Sequence, residues 1–533
     1  MDLQFDNSAL DSSHSCGYRE AYEALQDFFK DQIAQLQDQL DSHKAEINQL
    51  KKSKFGRRSE SLPREKPDKP ELTDEEKLEK LEKREKSDEK RAATRKKRKE
   101  LPARHFVVEI PANQRDCPSC EKPMNRWQKY ATSVTFVFVP GHFEQRLYHR
   151  EVLSCHCSNG IVKAPPPRRP FQGGQKFDAG IVADLIVRKC ADSMPLFRLV
   201  KAYRRQNMTI SESTLGRIFQ EAGLHLKIVW QHLCRRIAAQ ELVLADETPV
   251  KLTDHPKREA GKCKLGYMWV FLAPDIKSFV YIFNVSRSSE TPVQILGGTT
   301  GTLVVDGYSG YNTVTTPDTR TRAGCNIHAR RKFIEIEGTF KKEAQAVRDF
   351  YKRIYAIEHR AKEEKLVGTA KHLELRQTLS APVMEEFKEW LKETRKLYLP
   401  TSALVKKAIN YTENQWEALT RFLTDPKIPP DNNLSEQKMR SIALGRKNWL
   451  FLGNEGAGEV SAILHTLVLN CEAHGVNPQA YLTDLVMQDP ATLRERVCEF
   501  LPSTWKPPDG FTAGNYPLYS EEYLVTEIQK PPS

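Results

Sequence analysis

Apolar residues near the start of the chain recur at alternating steps of three and four positions. One seam position holds Ile33, Leu40 and Ile47, and the other holds Phe29, Leu36, His43 and Leu50. This spacing, kept over about three heptads, is typical of a coiled coil. We predict a coiled coil over residues 18–52 that joins copies of the chain; the alternative is one amphipathic helix packed on its own chain.

Downstream, the period of the apolar pattern changes from helical to strand-like and back. Residues 177–235 carry helical stripes in three stretches, which fit either a helix-turn-helix DNA reader or, more commonly, a plain packing unit. Helical periodicity returns over residues 340–424 and around Val460–Ala473. Between them, four apolar runs predict strands: Leu242–Ala245, Tyr267–Leu272, Phe279–Asn284 and Leu303–Val305.

Positive charge is concentrated in one segment. The 533 residues include 82 Lys and Arg against 70 Asp and Glu, a net charge of +12. Residues 51–104 alone hold 21 basic and 13 acidic residues, with the densest run at Arg95, Lys96, Lys97, Arg98 and Lys99. This segment is therefore either a solvated linker or an arm that contacts nucleic-acid phosphates.

Several classes of protein do not fit the sequence. No run of 18 apolar residues is present, so we expect no membrane span. The acidic N-terminus lacks the apolar core of a secretory signal. An odd number of cysteines, 11, spread along the chain favours a reducing cytoplasm over a disulfide scaffold. The absence of a Gly-x-x-x-x-Gly-Lys-Ser/Thr loop disfavours an ATP-driven motor.

Four cysteines have the spacing of a metal site. Cys117 and Cys120 form a Cys-x-x-Cys pair, and Cys155 and Cys157 form a Cys-x-Cys pair after 34 intervening residues. Four thiolates suit a closed tetrahedral Zn²⁺ site. Because the second pair is tight, either His156 or Cys157 is the fourth ligand. Residues 105–170 are predicted to form this small, β-rich zinc-binding module.

Two predicted strands are each followed by an aspartate, Asp246 and Asp306. A carboxylate at the rim of a core needs a partner or a metal, because leaving it unpaired there is costly. A strand, a hairpin and a further strand in this order bring two carboxylates together in ribonuclease H-like folds. With a third acid they would hold two Mg²⁺ or Mn²⁺ ions. The alternative is that each aspartate only caps a strand or turn. Glu247 should point to the opposite face of the strand from Asp246.

The third acid has to come from the later helices. Glu436 is the first candidate, although Asn433 three residues before it also fits a helix capping box. Spacing alone leaves four rivals: Asp425, Asp431, Glu455 and Glu459.

Six stretches, taken with the cysteine module, form a specific combination that spans residues 25–490. They are Phe55-Gly-Arg-Arg-Ser-Glu60, Ala245-Asp-Glu-Thr-Pro-Val250, Asp306-Gly-Tyr-Ser-Gly-Tyr311, Cys325-Asn-Ile-His-Ala-Arg-Arg-Lys-Phe333, Asp431-Asn-Asn and Gly445-Arg-Lys-Asn-Trp-Leu-Phe451. In this order they resemble a bacterial transposase of the insertion sequence 66 family, a member of the DDE transposase superfamily.

This resemblance implies a DDE-type transposase with Asp246, Asp306 and Glu436 as catalytic, metal-binding residues. It implies two Mg²⁺ or Mn²⁺ ions there and a structural Zn²⁺ on Cys117, Cys120, Cys155 and Cys157. The implied reaction cleaves element ends and lets the freed 3′ hydroxyl attack target DNA without a covalent protein–DNA intermediate. The chain departs from the family where Ser435-Glu436-Gln-Lys-Met-Arg440 replaces the common Ala-Glu-Arg-x-Leu-Arg, and at Asn326-Ile327, where tryptophan is common.

Basic residues beside the acids complete the hypothesis. The predicted DNA contacts are Arg95, Lys96, Lys97, Arg98, His328, Arg330, Arg331, Arg440, Arg446 and Lys447. The expected partners are DNA, both terminal repeats and target, a second copy of the chain when active, and helper proteins from the same element. The alternative function is a DNA-binding regulator whose catalytic core is inactive or unused.

The predicted organisation is a multidomain α/β protein of a bacterial cytoplasm. Its segments are a coiled coil (18–52), a basic charged linker (53–104), a zinc-binding module (105–170), a helical DNA-binding segment (177–235), a ribonuclease H-like catalytic domain (240–452) with a helical insertion at about 335–425, a helical segment (453–495) and an irregular tail (496–533).

Overall fold

The structure is a computed structural model. It describes residues 177–508, apart from 257–261, 339 and 399–402, together with 143, 148, 152–154, 161–163, 166–172 and 511. The predicted coiled coil, the basic linker with Arg95–Arg98, and the four candidate zinc-ligating cysteines lie outside the described residues. Of the predicted zinc module, two short antiparallel strands are described, Val152–Ser154 (β1) and Ile161–Lys163 (β2).

Three helices precede the main sheet. They are Ala179–Cys190 (α1), Leu196–Arg204 (α2) and Glu212–Ala238 (α3). Ser211 caps α3 by accepting a hydrogen bond from the backbone nitrogen of Thr214 at 3.2 Å. From the middle of α3, Trp230 donates from Nε1 to the carbonyl of Tyr281 at 3.0 Å. The long third helix therefore packs on the main sheet.

The main sheet contains the four predicted strands, with wider bounds, and one more. An antiparallel meander, Leu242–Leu252 (β3), Lys264–Ala273 (β4) and Ser278–Asn284 (β5), is followed by the helix Glu290–Leu296 (α4) and the strands Gly301–Val305 (β6) and Arg320–Gly324 (β7). The strand order is β5-β4-β3-β6-β7, and β6 and β7 run parallel to β3. The sequence pattern did not predict β7.

Helices fill the predicted insertion. They are Asn326–Ile334 (α5), Lys341–Glu363 (α6), Ala370–Leu375 (α7), Ala381–Tyr398 (α8), Ala403–Asn414 (α9) and Trp416–Thr420 (α10), with one π-helical turn, Arg376–Ser380, between α7 and α8. Arg376 in this turn is 1% exposed and pairs with Glu358 on α6 at 2.7 Å. Its guanidinium also donates to the carbonyl of Phe422 at 2.8 Å, which ties the ends of the insertion together.

The last four helices return to the sheet. They are Asn433–Trp449 (α11), Glu455–Ala473 (α12), Pro478–Leu485 (α13) and Pro490–Glu495 (α14). Side chains of α12 accept hydrogen bonds from the backbone of edge strand β5, Thr466 from Tyr281 at 2.8 Å and Asn470 from Phe279 at 3.1 Å. These bonds occupy donors that would otherwise leave the sheet edge open.

The centre of the sheet is apolar because both of its faces are covered. Val243 and Ala245 point to one face, called the α3 face, which packs against α1, α3, α12 and α13. Leu242 and Leu244 point to the other, the α11 face, which packs against α6, α8, α9 and α11. Among the described residues, no helix is both long and apolar enough to span a membrane.

Candidate active site

Asp246 and Asp306 come together at the centre of the sheet. The parallel pair β3–β6 sets Leu242 opposite Thr302 and Leu244 opposite Val304. Continuing this register by two residues sets Asp246 opposite Asp306, and neighbouring strands lie about 4.8 Å apart. Alternate side chains of a strand point to the same face. Asp246 is two residues after Leu244 and Asp306 is two residues after Val304, so both aspartates belong to the α11 face.

The prediction that Asp246 ends its strand is wrong. β3 continues to Leu252 in antiparallel pairing with β4, and only the parallel pairing with β6 stops, at Leu244. Asp246 therefore lies where β3 loses one of its two neighbours. This leaves one flank of the strand open beside the carboxyl group.

Glu436 lies in the first turn of α11, and a buried asparagine fixes that helix to β3. Asn432, 1% exposed, donates from Nδ2 to the carbonyl of Ala245 at 2.6 Å. Its backbone nitrogen donates to Sγ of Cys325 at 3.3 Å. Asn432, which immediately precedes α11, is thus hydrogen-bonded to Ala245, which immediately precedes Asp246. Asn432 lies in the Asp431-Asn-Asn stretch, but no pattern in the sequence predicted its role.

The charges of the other two acids act on Asp246. The pKa of Asp246 is raised to about 7, first because burial disfavours the carboxylate, and further by the negative charges of Glu247, Glu436 and Asp306. The backbone amide of Glu247 opposes part of this rise. An acid in this environment gains from a nearby cation.

The rival third acids have other surroundings. Glu459 pairs with Lys227 at 2.6 Å, and Asp431 accepts a hydrogen bond from the Tyr355 hydroxyl at 2.7 Å. Asp425 accepts one from the backbone nitrogen of Lys427, and Glu455 is exposed at the start of α12. Of the five candidates, Glu436 is the one whose charge is among the main causes of the raised pKa of Asp246.

The side chains fit a hard divalent cation. Oε1 of Glu436 is buried and makes no hydrogen bond. Oxygen donors from Asp246, Asp306 and Glu436 match the preference of Mg²⁺ and Mn²⁺ for carboxylates. Their ligand oxygens do not all lie within 4.8 Å of one another in this arrangement, so the three residues could hold one metal together only if their side chains moved closer.

The turn after Asp306 is held by side chains from two other elements. Arg322 on β7 donates to the carbonyl of Asp306, and also to that of Tyr308 at 2.9 Å. The backbone nitrogen of Gly307 donates to the Tyr411 hydroxyl at 3.1 Å. A Cβ on Gly307 would meet that tyrosine ring at 2.6 Å, so glycine is required for this close approach. Neither Arg322 nor Tyr411 was singled out from the sequence.

Glu247 points to the α3 face, as strand alternation predicts. Its side chain is 3% exposed and accepts hydrogen bonds from the Tyr311 hydroxyl at 2.6 Å and from Nε of Arg287 at 2.9 Å. Burial raises the pKa of Glu247, and the bonds from Tyr311 and Arg287 oppose that rise. Glu247 therefore anchors the loop beyond β6 from behind the sheet.

A match to a protein-family model shows which family the chain belongs to. The model of the family described as "Transposase IS66 family" matches residues 174–460, more than half of the chain. The chain belongs to this transposase family. The match begins just before α1 and ends in α12, so it covers the three first helices, the sheet and all three acids. A second model, described as "Transposase C of IS166 homeodomain", matches residues 43–110, outside the described residues.

Three curated relatives, all from Sinorhizobium fredii, cover most of the chain. "Uncharacterized protein y4jD" is 30% identical over 422 residues, which are 76% of this chain and 81% of the relative. "Uncharacterized protein y4hP" is 26% identical over 433 residues, 76% of each protein. "Uncharacterized protein y4qI" is 29% identical over 390 residues, 70% of each.

One departure from the family pattern has a structural role. Asn326, where the family often has tryptophan, is fully buried and donates from Nδ2 to the carbonyls of Leu419 at 3.0 Å and Pro430 at 2.8 Å. Its Oδ1 accepts a hydrogen bond from the Tyr351 hydroxyl at 3.2 Å. Asn326 thus connects α5 to α6, α10 and the segment before α11.

The predicted DNA-contacting residues divide into three groups. His328 and Arg331 face Glu436, with Nδ1 of His328 at 3.6 Å and the Arg331 guanidinium at 4.0 Å. Arg446 donates to Oγ1 of Thr248 at 2.8 Å and so ties α11 to β3. Arg440 and Lys447 are exposed on α11, and Arg330 is half-buried on α5.

Proposed function

We propose that this chain is a DNA transposase that cleaves the ends of its insertion sequence and joins the freed 3′ hydroxyls to target DNA. Asp246, Asp306 and Glu436 are the acids proposed to hold its divalent cations. The observation that carries the proposal is geometric: the register of the parallel pair β3–β6 sets Asp246 opposite Asp306, and Asn432 bonds the start of the Glu436 helix to Ala245 beside Asp246. Membership of the transposase IS66 family supports the same reaction.

The sheet supports assigning the core to the ribonuclease H-like folds. Three antiparallel strands are followed by two parallel ones, in the order β5-β4-β3-β6-β7. The two aspartates come from the central strand β3 and from the end of its parallel neighbour β6. The third acid arrives on α11 after an insertion of helices. This order suits a site that gathers acids from distant parts of the chain.

The residues around the acids suggest their roles. Bound Mg²⁺ or Mn²⁺ ions would activate the attacking hydroxyl and stabilise the leaving 3′ oxygen. Asp246 and Asp306 offer carboxylates fixed by the sheet, while Asn432 orients the helix that carries Glu436. Arg331, Arg440 and Lys447 are exposed cations on α5 and α11 that we assign to DNA phosphates.

The remaining parts of the proposal concern assembly. Cys117, Cys120, Cys155 and Cys157 are proposed to bind a structural Zn²⁺, because their spacing suits four thiolate ligands. The heptads at residues 18–52 are proposed to make the active enzyme at least a dimer, which matches the need to hold two element ends together. Residues 43–110, which match the second family model, and the basic run within them are proposed to contact DNA.

The experiment is strand transfer in vitro with labelled element ends, a plasmid target and Mn²⁺. We expect joined product from the wild type, none from Asp246→Asn, and normal product from the control Asp275→Asn, which alters an exposed turn between β4 and β5. End binding should be equal in all three proteins. Specific end binding without product, even after the element's other proteins are added, would favour the regulator instead.

A further inference from the structure

Ligands of a second kind meet beside Glu436. One donor atom each from Cys325, His328 and Glu436 lies within 4.8 Å of the other two, and within the part of the chain that the structure describes this is the one such group of three. Cys325 is 1% exposed, whereas the side chains of His328 and Glu436 are 20% and 26% exposed. The group combines a sulfur, a nitrogen and an oxygen donor.

Backbone hydrogen bonds hold this group together. Cys325 immediately precedes α5 and His328 lies in its first turn, so a three-residue spacing puts both on one side of the helix. The backbone nitrogen of Asn326 donates to the carbonyl of Pro430 at 3.1 Å, which holds the start of α5 against the segment that leads into α11. The thiol also accepts the bond from the backbone of Asn432.

Two polar atoms in the group are buried without hydrogen bonds. They are Nδ1 of His328 and Oε1 of Glu436, which lie 3.6 Å apart. Leaving such atoms unpaired costs free energy. In a tetrahedral site with nitrogen and oxygen about 2.1 Å from the metal, the two donors would be about 3.4 Å apart. The observed separation is close to that value.

We propose that Cys325, His328 and Glu436 form a site for a thiophilic divalent cation such as Zn²⁺, which competes with the Mg²⁺ site for Glu436. The competition, unlike the cation site itself, rests on the proposed function. A sulfur, nitrogen and oxygen set suits Zn²⁺ or Co²⁺ and does not suit Mg²⁺. The ion displaces the thiol proton and takes Oε1 of Glu436, leaving a fourth position for water. Occupancy withdraws the third acid from the Mg²⁺ ligands and so inhibits DNA cleavage.

The test titrates Co²⁺ into the purified full-length chain and measures bound Co²⁺ per chain and cysteinate-to-cobalt charge-transfer absorption. Wild type is compared with His328→Gln and Cys325→Ser. The matched control is Cys471→Ser, because Cys471 is a fully buried free thiol outside this group. We expect the first two variants to bind one Co²⁺ fewer than wild type and the control to bind the same number. Ions at the N-terminal cysteine module would count equally in every protein.

Equal Co²⁺ content and absorption in wild type and His328→Gln would overturn the cation site. The second measurement repeats the titration in Mg²⁺ at about ten times its own Kd, where competition for Glu436 should raise the apparent Kd for Co²⁺ about tenfold. An unchanged Kd with an intact His328-dependent signal would retain the cation site and overturn the sharing. Absence of strand transfer would count against the proposed function alone, because neither Co²⁺ measurement depends on DNA.

Discussion

At the scale of single residues, the candidate acids differ in what surrounds them. Glu436 leaves one buried oxygen without a hydrogen bond, whereas Glu459 is neutralised by Lys227 at 2.6 Å. His328 and Arg331 also face Glu436, at 3.6 Å and 4.0 Å, so an ion pair alone does not separate the two acids. Glu436, unlike Glu459, is among the charges that raise the pKa of Asp246, and this position selects it from candidates that spacing could not separate.

Replacing Glu436 with Gln should therefore lower the rate of strand transfer on the order of a thousandfold, because a metal-binding carboxylate is lost. Glu459→Gln makes the same chemical change on α12 and should keep activity within about a factor of three, since surface ion pairs contribute about 1 kcal/mol or less. Product yield over time with Mn²⁺ measures both. Equal losses in the two variants would remove Glu436 from the site.

His465 on α12 gives a prediction about pH. It is 3% exposed, and burial lowers its pKa to about 4, against about 6.5 for an unfolded histidine. Because the folded pKa is the lower one, the unfolded chain takes up the proton first as the pH falls. Stability is thus fully present above pH 6.5 and is lost towards pH 4, by at most about 1.4 kcal/mol per pH unit.

Urea unfolding at pH 7 and pH 5.5 measures this effect. His465→Gln should show a smaller drop in unfolding free energy between the two pH values than wild type does. His359→Gln is the control, because it makes the same chemical change at a histidine whose side chain is 70% exposed. Identical pH dependence in wild type and His465→Gln would contradict the assignment.

At the scale of elements, Asn432 joins a helix to a strand. Its replacement by Ala removes the bond to the carbonyl of Ala245 and leaves a buried acceptor unpaired, so unfolding free energy should fall by about 1–3 kcal/mol. Because the same bond sets the start of α11, strand transfer should fall by more than the unfolded fraction explains. Asn433→Ala, at the exposed next position, should change neither quantity. Thermal melting and strand transfer are measured on the same samples; a loss of activity proportional to the loss of folded protein would leave Asn432 a purely structural role.

The sequence predicted the strands whose burial produces a run of apolar residues. The predicted parts of β3, β4, β5 and β6 are mostly buried and form continuous apolar runs, whereas the polar second half of β3 was not predicted. β7 escaped prediction because two of its five residues are arginines with internal partners. Arg320 is buried and donates to the carbonyl of Ala238 at 2.6 Å, and Arg322 supports the turn after Asp306. A charged residue that caps backbone carbonyls has no signature in a pattern of apolar positions.

The acids of the candidate site could be predicted from the sequence, but the residues that hold those acids in place could not. Asp246 and Asp306 were found because each follows an apolar run, and their 60-residue separation equals the register of the β3–β6 pair. Asn432, Tyr411 and Arg322 act through bonds that span between 14 and 187 positions of sequence, and no local pattern encodes these bonds. The sequence predicted no metal-binding role for Cys325, because Glu436, which lies near it in the fold, is on another helix.

At the scale of the whole molecule, the family match covers the sheet and most of its helices. We propose that assembly depends on the heptads at residues 18–52. Replacing Ile33 and Leu40 together with Asp should convert the full-length chain to a monomer, because charges in a coiled-coil seam are costly to bury. Gln35→Asp with Ser42→Asp adds the same charges off the seam and should leave the assembly intact. Light scattering during size-exclusion chromatography measures the mass; a monomer in wild type would contradict the prediction.

Because of the long helical insertion, Glu436 is synthesised well after Asp246 and Asp306. Asp246 leaves the ribosome 190 residues ahead of Glu436 and Asp306 leaves it 130 residues ahead. Chains grow at about 5–20 residues per second. For on the order of ten seconds, each nascent chain therefore has two of its acids and lacks the third. A chain that is still being translated near its own gene could hold nearby DNA during that interval, yet it would have no complete set of acids with which to cut it.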